Sequence, residues 1–282
     1  MIKVFYDDRM VADSGSYSPS AAKPRQVTQD WQGRGLPITV ECFLPMTRDE
    51  LATAHCRRYV DDVLDLLQPN GHGNCSEDVA QSLPWTTGSM VAAALAALET
   101  GVACSPSSGF HHAGYDNGGA FCTFNGLMVA AVALLDRGCR VCIIDADAHY
   151  GDGTDEILDQ LELTDQVLHW TYGRRTLTAE EMFEEIDELR SEMNESHDWV
   201  VLYRAGADPH VDDPLGGYLT TEEMRQRDRY VFQMCKGAGI PLAWNLAGGY
   251  QREPDGSIPI VLELHGNTMQ ECCAVFLLIL KP

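Results

Sequence analysis

The sequence predicts an α/β fold in which a mostly parallel β-sheet is covered by helices on both faces. From about residue 85 onward, helical patterns alternate with short apolar strands. The strands are apolar runs such as residues 141–144, and glycines follow several of the helical segments. Strands and helices that alternate at these lengths form βαβ units, whose parallel strands are buried on both faces.

Local signals justify each element in order. An alanine-rich helix over 89–99 ends before Gly101, and a second helix over 125–136 ends before Gly138, as expected from the preference for glycine after a helix. An acidic amphipathic helix is expected over 178–193, because glutamates in its first turns favour a helix N-terminus. Further helices are expected over 220–236 and 267–280, and strands over 141–144, 166–171, 199–203 and 241–246.

The first third of the chain has weaker patterns. Residues 9–40 are rich in Ser, Pro, Gln and Gly, so we expect an irregular surface segment there, and a long loop over 68–84. No internal repeat or low-complexity linker divides the sequence. We therefore expect one domain over residues 1–282.

The charge balance of the chain disfavours some classes of binding partner. The chain has 42 acidic residues against 20 lysines and arginines, a net charge of −22. This disfavours binding to nucleic acids or anionic membranes, both of which attract clustered Lys and Arg. The first residues lack a secretory pattern, and no apolar run approaches the roughly 20 residues of a membrane span. We therefore expect a cytoplasmic protein whose ten cysteines are reduced and mostly buried.

Ligands in such a sheet bind at the carboxyl ends of the strands, here just after residues 144, 203 and 246. The first of these places reads Asp-Ala-Asp-Ala-His-Tyr-Gly-Asp-Gly over 145–153. In an extended segment Asp145, Asp147 and His149 share one face. A carboxylate and an imidazole there are suitable ligands for a divalent metal.

The second place supplies another carboxylate. Asp208 follows the strand that ends near Tyr203, and it precedes a proline. One His and two Asp would leave a coordination position open for water, as in a catalytic zinc site. Taken alone, Asp208 is equally typical of a turn or a helix cap.

A tandem histidine pair, His111 and His112, lies among glycines in the segment 107–122. The neutral-range pKa of histidine suits proton transfer to and from a metal-bound water. Each ring needs a carboxylate to set its tautomer, and Asp145 and Asp152 flank the candidate ligands. The alternative is a second metal site formed by the two histidines.

Two glycines precede Tyr250 after the last predicted strand. A tight turn there would present the Tyr hydroxyl to a developing oxyanion. In isolation, the same residues are typical of an ordinary turn followed by a packed tyrosine.

Taken together and in this order, the four segments resemble the zinc-dependent histone deacetylase family, including its acetylpolyamine amidohydrolase branch. The resemblance covers roughly residues 85–265 and implies a parallel α/β sheet like that of arginases. It also implies one zinc ion per chain, held by Asp147, His149 and Asp208, and a potassium ion close to it along 145–149. The implied reaction is the hydrolysis of an N-acyl amide to a carboxylate and a free amine.

The resemblance also assigns roles. His112 is placed like the general base, with His111 as its electrostatic neighbour. Asp145 would be the partner of His111, and Asp152 that of His112. Tyr250 would polarise the amide carbonyl, and Gly119 and Phe121 would belong to one wall of a narrow tunnel for the acylated aminoalkyl chain.

The sequence departs from the family pattern at the opposite wall. Only 45 residues separate Leu158 from Arg204 (204 − 158 − 1), and the glycine-rich stretch that carries the second aromatic wall is not recognisable. Either Trp170 or Tyr172 substitutes for it, or the pocket is wider and takes bulkier acyl groups. A second monovalent-ion site is in doubt for the same reason.

The substrate class and two other functions stay open. The charge slightly favours a small cationic acyl-amine, such as an acetylated polyamine, over an acyl-lysine peptide. A two-metal ureohydrolase of the arginase type would need a carboxylate at position 151, which is Gly. A catalytically silent protein that binds acyl-amines is the third possibility. The sequence does not indicate an oligomeric state.

Overall fold

A computed structural model describes residues 1–174, 178–193 and 198–277. The centre of the protein is a seven-stranded sheet with the strand order β2-β1-β3-β7-β6-β4-β5. All pairings of neighbouring strands in this sheet are parallel. The strands are β1 (Ile2–Phe5), β2 (Ile38–Glu41), β3 (Val102–Ser108), β4 (Arg140–Asp145), β5 (Val167–Thr171), β6 (Trp199–Gly206) and β7 (Leu242–Ala247). The predicted α/β fold is thereby confirmed.

The helices of the described residues cover both faces of this sheet. They are α1 (Lys23–Gly33), α2 (Arg48–Leu51), α3 (Arg57–Leu64), α4 (Glu77–Thr100), α5 (Gly126–Leu135), α6 (Asp152–Gln160), α7 (Ala179–Met193), α8 (Thr221–Ala238) and α9 (Pro259–Leu277). None of the helices in the described ranges is both long and apolar enough to cross a bilayer.

Successive residues of the central strands enter different cores. In β4, Cys142 and Ile144 pack with α1, α7, α8 and α9, whereas Val141 and Ile143 pack with α4, α5 and α6. Side chains of a strand alternate between the two faces of its sheet, and both faces are buried here. This is the physical reason why β4 is continuously apolar over residues 141–144.

The prediction of an irregular surface segment over 9–40 is wrong. The segment contains α1 and most of β2, and Val27 and Trp31 of α1 are fully buried. Trp31 packs against Trp244 with ring centroids 5.6 Å apart, and its Nε1 donates to the carbonyl of His265. Only these two large apolar residues mark the buried face of α1. The other residues of the helix are mostly polar, so the sequence does not show an amphipathic helical pattern there.

Two predicted boundaries also change. The predicted loop 68–84 is helical from Glu77, where Ser76 caps α4 by accepting from the Val79 N–H, and the helix continues through Pro84. The last helix begins at Pro259, eight residues before the predicted start, while residues 278–280 of that prediction lie outside the described residues. The predicted helix over 89–99 is the C-terminal part of α4, which begins twelve residues earlier. The boundaries of the remaining predicted strands and helices lie within three residues of the observed ones.

Candidate active site and metal centre

Four adjacent strands bring the candidate residues together. Strands β3, β7, β6 and β4 are neighbours in the sheet and run in the same direction, so their carboxyl ends meet at one edge. The chain segments that leave these ends carry, in sequence order, His111 and His112, then 145–152, Asp208 and Tyr250. The site lies where parallel α/β sheets place their ligands.

Asp147, His149 and Asp208 form a cluster that can hold a metal ion. One ligand atom from each lies within 4.8 Å of the others. His149 Nδ1 is 3.1 Å from Asp147 Oδ1 and 2.9 Å from Asp208 Oδ2. Tetrahedral zinc with bonds of about 2.05 Å separates its ligand atoms by about 3.3 Å, close to this spacing. Among the described residues, no hydrogen bond reaches the buried Asp208 Oδ1.

Charge in this cluster is concentrated and buried. Hydrogen bonds to Asp147 and Asp208 raise the pKa of His149 to about 10. Burial, followed by the repulsion of Asp147, raises the pKa of Asp208. Burial also opposes ionisation of Asp147, but the charges of Arg204 and His111 outweigh it and hold that pKa well below its usual range. A divalent cation would relieve the repulsion between the two carboxylates.

The histidine pair lies beside the cluster, and each ring contacts a carboxylate. His111 Nδ1 is 2.6 Å from Asp145 Oδ2, and His112 Nδ1 is 2.6 Å from Asp152 Oδ1. The two ring centroids are 4.0 Å apart, and that of His112 is 6.1 Å from that of His149. Among the described residues, neither histidine belongs to a group of three side chains that could hold a metal ion.

The environments of the two histidines differ. The His111 side chain is fully buried, whereas that of His112 is partly exposed. Burial, and then the neighbouring His111, lower the pKa of His112. A neutral His112 ring with a proton on Nδ1 leaves Nε2 free to accept another. His112 is therefore the ring suited to proton exchange with a substrate.

Tyr250 follows a turn that packs against Asp208. Gly248 and Gly249 have φ values of +45° and +84°, a region that favours glycine. A Cβ on Gly248 would lie 2.7 Å from that of Asp208 and closer still to its carboxylate. The Tyr250 N–H donates to Asp213 Oδ2 at 2.7 Å. Burial and the nearby carboxylates raise the pKa of Tyr250, so its hydroxyl stays a hydrogen-bond donor.

Phe121 lies on a strained turn beside Tyr250. Gly119 and Cys122 exchange two backbone hydrogen bonds of 2.8 and 2.9 Å, and Ala120 and Phe121 have φ values of +44° and +69°. The Phe121 and Tyr250 ring centroids are 5.9 Å apart. Gly119 thus belongs to the turn that presents the Phe121 ring, and backbone strain of this kind is concentrated at functional sites.

Tyr17 is an aromatic neighbour that the sequence did not indicate. Its ring is 5.3 Å from Phe121 and 6.5 Å from Tyr250 between centroids, and the residue is 59% exposed. His72 contacts the same Phe121 ring at 5.8 Å. Both residues come from segments predicted as irregular, where a lone aromatic among serines and glycines was the available signal.

Trp170 does not line the site. Its ring is 9% exposed and packs in the core against α7, where Nε1 donates to Glu185 Oε2 at 2.7 Å. Its prediction as a tunnel wall is wrong because alternate residues of β5 point into the core. Tyr172 is also buried, with Trp170 on one side and the exposed ring of Tyr218 on the other.

Two buried cations were likewise not assigned from the sequence. The Lys23 ammonium donates to the Gly248 carbonyl and, at 3.0 Å, to Ser108 Oγ. Burial lowers the pKa of Lys23 to about 8. The Arg204 guanidinium lies 2.7 Å from Asp147 Oδ2 and 3.0 Å from Asp145 Oδ1. Fully buried positive charges are rare in proteins unless they are paired.

Comparison with known proteins identifies relatives of the chain. Residues 24–172, slightly more than half of the chain, match the family model of the histone deacetylase domain. An uncharacterized protein of Picosynechococcus is 31% identical over 63% of this chain and 65% of its own length. Histone deacetylase 2 of Arabidopsis thaliana is 30% identical over 58% of this chain and 48% of its own length. The match therefore spans about half to two thirds of these relatives.

A shorter match and two solved structures add to this. Acetylpolyamine amidohydrolase 2 of Pseudomonas aeruginosa is 49% identical over 55 residues, 19% of this chain and 15% of its own. The HDA15 HD domain has a TM-score of 0.76 at 20% identity, over 98% of this chain and 89% of its own. An acetylpolyamine aminohydrolase from Burkholderia pseudomallei has a TM-score of 0.71 at 16% identity, over 98% of this chain and 99% of its own. At these identities the structures show a shared fold.

Proposed function

The chain belongs to the histone deacetylase family, and we propose that it is a zinc-dependent amidohydrolase that cleaves an N-acyl amide to a carboxylate and a free amine. The observation that carries this proposal is the cluster of Asp147, His149 and Asp208 beside two carboxylate-paired histidines. We propose one zinc ion per chain at this cluster. Zinc bound there would supply a water of lowered pKa and polarise the amide carbonyl.

Proton transfer falls to His112 in this proposal. Its Nδ1 is held by Asp152, so Nε2 is the atom that takes a proton and later gives it to the leaving amine. His111 is held by Asp145, and its ring centroid lies 4.0 Å from that of His112, so His111 is one of the groups that lower the pKa of His112. The pair therefore works as one unit.

Carbonyl activation falls to Tyr250. The glycine turn and the bond from its N–H to Asp213 fix the start of this side chain. A neutral phenol donates a hydrogen bond that becomes stronger as negative charge develops on the carbonyl oxygen. Phe121 and Tyr17 flank the hydroxyl-bearing ring and offer apolar surface to the carbon chain of an acylated amine.

The substrate that we propose is a small cationic acyl-amine, with an acyl-lysine peptide as the second candidate. The net charge of −22 supports a cation, because the field of an acidic protein steers cations toward it. The match to an acetylpolyamine amidohydrolase over 55 residues points in the same direction. Nucleic acids and membranes are not among the proposed partners, and a cytoplasmic location is part of the proposal.

The test is a substrate panel. Zinc-loaded protein is assayed by kcat/KM on acetylated polyamines and acetyl-lysine peptides, with metal content measured in parallel. We expect one zinc ion per chain and acetate release that is faster from the polyamines. Two manganese ions per chain would favour the ureohydrolase, and a zinc-loaded protein that releases no acetate from any substrate would favour a silent acyl-amine-binding protein.

A further inference from the structure

A buried arginine lies between two of the site carboxylates. Arg204 on β6 is the register partner of Asp145 on the neighbouring strand β4. The Arg204 side chain is only 2% exposed. Its Nη1 is 3.0 Å from Asp145 Oδ1 and 2.7 Å from Asp147 Oδ2. Its Nε donates to the Gly109 carbonyl at 2.9 Å, two residues before His111. One guanidinium thus connects the histidine segment and the metal-binding segment.

We propose that Arg204 is the fixed cation of this site and replaces the monovalent ion that the family resemblance implies. The inference rests on the proposed function, because it assigns Arg204 to the same metal centre. Asp145, Asp147 and Asp208 together carry three negative charges when ionised. Arg204 and one divalent metal ion balance these three charges without a further cation.

The residues present do not fit a potassium ion beside Asp145. Asp145 Oδ2 accepts from His111 Nδ1 at 2.6 Å. Asp145 Oδ1 accepts from Arg204 Nη1 at 3.0 Å and from the Asp147 N–H at 3.2 Å. Both oxygens of this carboxylate are therefore engaged, and a second positive charge there would be repelled by the guanidinium.

Arg204 is a positioning residue in this arrangement. It holds Asp145, and the other oxygen of Asp145 fixes the tautomer and orientation of His111. It also contacts Asp147, a proposed ligand. Such outer partners of metal ligands typically affect metal affinity by about 10–100-fold when they are removed. Unlike an exchangeable ion, the guanidinium is always present and keeps its charge.

The experiment compares wild-type protein with Arg204→Gln in buffers of equal concentration that contain potassium, sodium or choline chloride. Zinc affinity is measured by competition with a chromophoric chelator, and thermal unfolding is followed in the same buffers. We expect the wild-type zinc affinity to change less than about twofold among the salts. We expect Arg204→Gln to bind zinc about 10-fold or more weakly in choline, and potassium to restore part of this loss.

The matched control is Arg229→Gln, which removes a guanidinium that pairs with Glu271 on α9 and leaves the three site carboxylates untouched. Its zinc affinity should equal that of the wild type in each salt. If Arg204→Gln does not fold, Arg204→Lys keeps the charge but loses the Nε donor that holds the Gly109 carbonyl while Nη1 contacts the two carboxylates, and it should bind zinc more weakly without a response to potassium.

Two results would overturn the inference. One is a wild-type zinc affinity that rises about tenfold or more when potassium replaces choline, and the other is an unchanged affinity in both Arg204 variants. Failure of the proposed function is a separate outcome. In that case no salt supports acetate release by the wild-type protein, although the affinities follow the expected pattern.

Discussion

Gly248 offers a test of the metal site through the backbone. Replacement by alanine would place a Cβ 2.7 Å from the Asp208 Cβ and closer still to its carboxylate, at a position with φ of +45°. Ordinary contacts begin at 3.4 Å, so Asp208 must retreat by at least 0.7 Å, the difference of the two values. Metal–ligand distances tolerate only about 0.2 Å. Gly248→Ala should therefore move a proposed ligand out of reach.

The expected magnitude has two parts. The left-handed backbone costs alanine about 1–2 kcal/mol of unfolding free energy. A displaced ligand should weaken zinc binding by about 10²-fold, which corresponds to about 2.7 kcal/mol. The two effects are separable, because the first lowers the stability of the metal-free protein and the second lowers its affinity for zinc.

The assay is chelator competition for zinc affinity, with thermal unfolding of the metal-free protein. Gly237→Ala is the control, because a Cβ there meets nothing within 4 Å. It lies near the end of α8 and should leave zinc affinity unchanged while raising stability by about 0.5–1 kcal/mol. If folded Gly248→Ala bound zinc within twofold of the wild type, Asp208 could not be a ligand in the observed position.

Three further predictions concern the same site. Tyr250→Phe should lower kcat by about 10²-fold with zinc content unchanged; steady-state kinetics with metal analysis will test this, and an unchanged kcat would exclude the phenol from catalysis. Asp152→Asn removes an anion that raises the pKa of His112. The acidic limb of the pH–kcat/KM profile should therefore move to lower pH, and kcat should fall by about tenfold. An acidic limb that does not move would contradict the assignment of His112 as the base. In the metal-free protein the pKa of His149 is raised to about 10, so its ring is protonated at pH 7, and zinc, which binds the neutral ring, should displace about one proton from it. Zinc affinity should therefore increase with pH up to about 10, and calorimetry in buffers of different ionisation enthalpy should detect the proton; no release would exclude His149 as a ligand.

The second half of the fold was predictable because local patterns there agree with tertiary structure. Strands β4, β6 and β7 are buried on both faces, and helix α8, which connects β6 and β7, ends at Gly239 with φ of +68°. Helix α5 begins after Asn125, whose side chain accepts from the Met128 N–H. Because these signals are local, they can be recognised in the sequence without knowledge of tertiary contacts.

The first half was harder because tertiary contacts override its local patterns. Strand β3 includes Pro106 and several serines, which disfavour a central strand. Its buried hydroxyls are satisfied from elsewhere, since Ser105 Oγ is 2.7 Å from Ser89 Oγ and Ser107 Oγ donates to the Thr86 carbonyl. Helix α4 provides both partners, so the polar side chains of this strand are accommodated by packing against that helix.

The candidate site shows the same division. Asp145, Asp147 and His149 were predictable because a fixed spacing after a strand places them on one face. Lys23 was not, because its partner Gly248 is 225 residues away. Arg204 lies four residues before Asp208 in the sequence, but its role depends on the register between β6 and β4. Tyr17 depends on how a polar segment folds over Phe121.

The two buried cations of the site have different roles because their partners differ. Lys23 donates to a carbonyl and a hydroxyl, so burial lowers its pKa to about 8. Burial would also lower the pKa of Arg204, but Asp147 and Asp145 raise it above its usual value. Lys23 can therefore lose its proton near neutral pH while its amine still holds the Gly248 turn. The charge that balances the carboxylates of the candidate metal site at every working pH is thus that of Arg204.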